Sequence, residues 1–79
     1  MKIAVGVTDG VLGTVALTPR GLEIDGPEKE AVERLVRDFR SPGLGDQGVV
    51  ERMLAGLQGY TWAVEVDEDA SAWAAGPGR

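Results

Sequence analysis

At 79 residues and a formal net charge of −5, the chain has room for one small domain, whose single core leaves only a few kcal/mol of net stability. It contains neither cysteine nor histidine, which excludes disulfides, thiolate metal sites and the usual proton shuttle at neutral pH. The acidic balance disfavours nucleic acid and anionic membrane surfaces as partners, and no stretch approaches the ~20 apolar residues of a membrane span.

The first ten residues, MKIAVGVTDG, form a short apolar run broken by Thr8, Asp9 and Gly10. A strand is expected here rather than a signal peptide, and with it a cytoplasmic location. Ile3, Val5 and Val7 alternate with smaller residues, and Val11, Val15 and Leu17 resume an alternation beyond Asp9-Gly10, which is hairpin chemistry. A two-residue Asp9-Gly10 turn would leave Val11, Val15 and Leu17 on the face away from Val7. A three-residue turn, Thr8-Asp9-Gly10, pairs Val7 with Val11 and gathers all six apolar residues on one face, and is the expected register. Thr18-Pro19-Arg20-Gly21 then turns the chain into a short third strand, with Leu22 and Ile24 facing inward.

From Asp25 to Arg40 the pattern changes to a helical period. Ala31, Val32, Leu35, Val36 and Phe39 make one apolar stripe, and the other face is charged. Pro27 suits the first helical position, which makes Gly26 the expected N-cap. Glu30 to Arg34 and Glu33 to Arg37 have the spacing of i,i+4 ion pairs. Ser41-Pro42-Gly43-Leu44-Gly45 stops this helix, and Asp46 is the expected N-cap of a second, whose stripe is Val49, Val50, Met53, Leu54 and Leu57. Gly48 and Gly56 each weaken it by about 1 kcal/mol relative to alanine.

Gly59 ends the second helix, and a final strand follows in which Tyr60, Trp62, Val64 and Val66 share one face. The sum is an α+β domain over residues 1–66. Its expected form is a four-stranded antiparallel sheet of order 4-1-2-3 and topology βββααβ, with an αα-hairpin packed on one face. The opposite face would then carry Ala4, Gly6, Leu12, Thr14, Ala16, Thr61 and Ala63. Residues 67–79 read as a tail, acidic at Asp67-Glu68-Asp69, then rich in alanine, glycine and proline.

No motif supplies chemistry. Val5 to Thr14, VGVTDGVLGT, resembles the phosphate-binding hairpin of the sugar kinase, actin and heat-shock ATPase superfamily. That family requires two further nucleotide-binding segments for which this chain has no room, so Asp9 and Gly10 are read as a turn. Asp67, Glu68 and Asp69 lack the glycine-containing loop and the later bidentate glutamate of a calcium hand. Ser41 and Ser71 have no histidine to activate them. No catalytic, cofactor-binding or metal-binding residue is expected, and no cofactor.

What remains is recognition of protein by protein. Trp73, flanked by Ala72 and Ala74, stands in the tail as a large aromatic that either folds back or finds a partner, and Leu12 adds an apolar residue to a sheet face poor in charge. Size, composition and layout resemble the small accessory proteins encoded among the structural genes of bacteriophages of GC-rich bacteria. That resemblance implies a non-enzymatic assembly subunit, a homo-oligomer or a component of a larger particle such as the virion. The other reading is an acidic inhibitor of the anti-defence or DNA-mimic kind, which would engage a basic partner through Glu28, Glu30, Glu33 and Asp38.

Overall fold

The alternating valines of the first third pair into a sheet because each strand has one row of branched side chains to hide, and the two amphipathic helices supply the cover. The computed structural model describes residues 1–66. In chain order these form β1 (Lys2–Val7), β2 (Gly10–Thr18), β3 (Gly21–Asp25), α1 (Lys29–Phe39), α2 (Asp46–Gly56) and β4 (Thr61–Val66). The strands lie in the order β3-β2-β1-β4, every neighbouring pair antiparallel. This is the expected 4-1-2-3 order read from the other edge. The tail, with Asp67-Glu68-Asp69, Ala72, Trp73 and Ala74, lies outside the described residues.

The core gathers Ile3, Val5, Val15 and Ala63 from the sheet with Val32 and Val36 of α1 and Val49, Val50, Met53 and Leu57 from α2 and its end. Leu35, Phe39 and Leu54 flank it, together with Leu22 and Ile24 from β3. Both helical stripes therefore point where their period placed them. Burying one such side chain contributes about 1.5–3 kcal/mol.

The hairpin register differs from expectation. Val7 pairs with Gly10, so the turn is Thr8-Asp9, and neither residue takes a positive φ. Val7 does not meet Val11, which stands opposite Gly6 instead. An uninterrupted ladder from that turn would set Ile3 opposite Thr14 and reverse every side chain of β2. A β-bulge prevents this. The register jumps between Val5 and Gly6, so that Val5 pairs with Gly13 and Ile3 with Val15, and Leu12 is the residue left over. The inward alternation thus survives for Ile3, Val5 and Val15 through a bulge rather than through a longer turn, while Val11, expected inward, shares the face of Gly6 instead.

The bulge also places α1. Leu12 carbonyl accepts the backbone N–H of Glu28 at 2.9 Å, and Gly26, at φ +129°, lies against the Cα of Gly13. A Cβ on either glycine would strike the other strand's backbone. Because Gly26 crosses here in a left-handed conformation, it is not the N-cap. Pro27 and Glu28 complete a turn, Glu28 caps without a side-chain hydrogen bond, and the helix starts two residues later than expected. In α2, likewise, Gly45 holds the cap position and Asp46 is the first helical residue. Asp46 is engaged elsewhere: its carboxylate accepts from Arg40 at 2.7 Å across the helix connection. The ion pairs among the described residues are this one and Arg20 with Glu23, rather than the i,i+4 pairs expected along α1.

Candidate functional site

Residues that pair directly across a sheet share a face, so the registers decide what each side presents. Val5 pairs with Ala63, and Ala63 enters the core beside Met53 and Leu57. Trp62 and Val64 pair with Gly6 and Ala4 and must point the other way. This corrects the expected orientation of β4. Its large residues line the face without helices, and its small residue faces the core. The chain holds that orientation at the α2–β4 connection, where the Ala63 N–H donates to Leu57 carbonyl at 3.0 Å. Ala63 is thus the β4 residue that joins Leu57 and Met53 in the core.

The open face is consequently different from the small, mildly polar one that the sequence implied. Along one row lie Thr14, Ala4 and Val64, and along the next Glu23, Ala16, Lys2 and Val66. Ala4 and Thr14, at its centre, are 1 % and 8 % exposed. The Thr14 hydroxyl forms no hydrogen bond among the described residues. Val64 is 49 % exposed and Tyr60, just before β4, is 68 % exposed. A low floor of alanine, glycine and threonine is thus bordered by an aromatic and aliphatic ridge.

Trp62 sets the end of that ridge. Its indole lies over Gly6, where any Cβ would collide with the ring, and its Nε1–H donates to Val7 carbonyl at 2.8 Å. The hydrogen bond satisfies the indole's polar handle and fixes the ring flat on the sheet. The Gly6–Trp62 pair is the signal that sequence reading missed: a glycine in mid-strand and an aromatic that would fit above it.

The two sheet edges are also unlike. Backbone groups of an antiparallel edge strand point alternately inward and outward. On β4 the outward groups of Thr61 and Ala63 are already used, by Gly59 N–H at 3.2 Å and by Leu57 carbonyl. The connection from α2 therefore closes the first half of this edge, leaving Glu65 as the next outward-facing residue. Edge-to-edge pairing has little to hold, and the open face is the broader surface.

Of the residues expected to bind a partner, Leu12 is half-buried and packs against the core, while Trp73, Ala72 and Ala74 lie outside the described residues. Glu28, at the cap of α1, and Glu30 and Asp38 on it are exposed, and Glu33 is half-buried. Among the described residues no group of three carboxylates is placed to hold a metal ion, and no helix is long and apolar enough to cross a membrane. The chain matches no protein-family model, no curated protein and no solved structure.

Proposed function

We propose that this is a non-enzymatic assembly protein, a structural or particle-associated subunit, that acts by protein–protein contact through its open sheet face. The observation that carries this reading is the Tyr60, Trp62, Val64 and Val66 ridge beside the Ala4, Thr14 and Ala16 floor. Tyrosine and tryptophan are the residues that dominate interface energetics, and small neighbours let a partner approach the backbone closely. The face spans four strands, roughly 19 Å, and a similar distance along them, an area on the order of 400 Å². A standard interface uses about 800 Å² per partner, so this face is one contact of a larger assembly or a seat for a short segment.

The test is the solution mass by light scattering, together with recovery of bound protein, for the full chain and for Val64→Asp. Assemblies or bound partners that disappear in the variant support the reading. Equal mass and equal recovery in both would overturn it.

A second reading, an acidic inhibitor of a basic protein, draws on one observation. Glu28, Glu30, Glu33 and Asp38 take part in no ion pair among the described residues, which leaves their charge available. Binding of that kind would weaken steeply as salt rises, whereas contact through the open face would not.

A further inference from the structure

We propose that the free edge of β3 takes an extended, basic segment of another protein as a further strand of the sheet. This contact is separate from the one made by the β4 ridge.

The direction of the backbone groups follows from one hydrogen bond. Leu17 N–H donates to Met1 carbonyl at 2.8 Å, so Leu17 turns its backbone groups toward β1, and its neighbours Ala16 and Thr18 turn theirs toward β3. Ala16 pairs with Glu23 and Thr18 with Gly21, which leaves the N–H and C=O groups of Leu22 and Ile24 pointing off the sheet. No hydrogen bond among the described residues reaches them. The side chains of Leu22 and Ile24 pack against the core, which holds this edge in strand geometry. Whereas the connection from α2 closes half of the β4 edge, β3 is left open along its length.

Charge selects what can add there. Glu23 and Asp25 stand exposed on the open-face side of β3, and Glu28 follows at the cap of α1. Arg20 bonds Glu23 at 3.3 Å, but no cation among the described residues pairs with Asp25 or Glu28, and Lys2 lies two strands away on β1. On the helix side the signs are mixed. Phe39 lies against Gly56 of α2, so the flank of α1 above β3 is the opposite one, with Lys29, Glu33 and Arg37. A second copy is the wrong occupant. Bonding Leu22 to Ile24 of an antiparallel copy sets Glu23 opposite its own counterpart, and the register centred on Ile24 sets it opposite Asp25, like charges that repel across the pair. The register centred on Leu22 carries Ile24 past the end of the strand it should bond. A foreign strand with lysine or arginine at alternate positions meets Glu23 and Asp25 instead, and its intervening aliphatic residues extend the Leu22 and Ile24 row.

Nuclear magnetic resonance and amide exchange on the full chain, titrated with a short synthetic peptide that alternates lysine and valine, test the proposal. In the free protein the Leu22 and Ile24 amides should exchange quickly and that of Glu23, bonded to β2, slowly. Slow exchange at Leu22 and Ile24 before peptide is added means that the edge is already filled, and overturns the proposal. The peptide should shift both amide signals and slow their exchange roughly tenfold. A glutamate–valine peptide should bind the chain about tenfold more weakly, as should the lysine peptide bind Glu23→Lys. Methylating the valine nitrogens of the lysine peptide, which face β3 and carry no charge, should abolish binding. Equal binding by the methylated or the glutamate peptide, full binding to Glu23→Lys, or a titration that leaves Leu22 and Ile24 unmoved overturns strand addition. Val64→Asp should take the peptide as the unaltered chain does, so this outcome and that of the open-face test are read separately.

Discussion

The two faces of the sheet are cut from the same strands and have opposite designs. On the covered face Ile3, Val5 and Val15 are fully buried beneath the helices, and the one β4 residue admitted to that core is Ala63. On the open face the middle of the central strands carries Ala4, Gly6, Thr14 and Ala16, with Lys2 and Val11 towards its ends, and β4 adds Trp62, Val64 and Val66. A helix layer stands about 10 Å from a sheet and demands branched side chains to fill the gap, whereas no helix of the described residues covers the open face. Side-chain volume as well as polarity separates the packed side from the open side.

Substitutions on the two faces should diverge accordingly. Met53→Ala removes the largest α2 side chain from the sealed core and is expected to cost about 2–5 kcal/mol, enough to unfold much of a domain this size, read as a lower urea midpoint. Phe39→Ala and Leu35→Ala should cost less than Met53→Ala in the same assay, since both residues are half-buried. Gly6→Ala is next. Its methyl would displace the Trp62 ring and sit 2.6 Å from Gly10 carbonyl, a rigid atom. The expected loss is about 1–3 kcal/mol, accompanied by a shift in Trp62 fluorescence.

Val64→Asp, on the open face, should change the urea midpoint by no more than about 0.5 kcal/mol in stability while abolishing contact with a partner. If it unfolded the domain, the open face would belong to the core after all. Smallest is Arg40→Ala, which breaks the partly exposed pair with Asp46 and should cost about 0–1 kcal/mol, less at high salt.

The fold was legible where a period could be counted. The stripes of α1 and α2, the strand order and the inward set of Ile3, Val5 and Val15 all follow from spacing and turn residues. The direction of β4 was not legible, because alternation tells which residues share a face and not which face it is. Large residues were assigned inward by default. The features that accompany the observed orientation are distant in sequence: the Ala63 N–H held by Leu57 carbonyl, and the space over Gly6 that the Trp62 ring fills. The hairpin was legible as a hairpin but not in register, since a bulge and a longer turn both bring Val15 opposite Ile3 and differ only near the turn, at Val11. The candidate site was found only in part. Leu12 packs on the core, and the ridge on β4 was placed on the wrong side.

The bulge has a consequence for how this chain tolerates changes in length. Removing Leu12 would leave Gly6 opposite Val11 and Val5 opposite Gly13, so the ladder of β1 and β2 would close without a shift. What would vanish is the carbonyl that holds Glu28 and, through it, the first turn of α1. One surplus residue in a hairpin is thus the fastening point of a helix that begins seventeen positions further on.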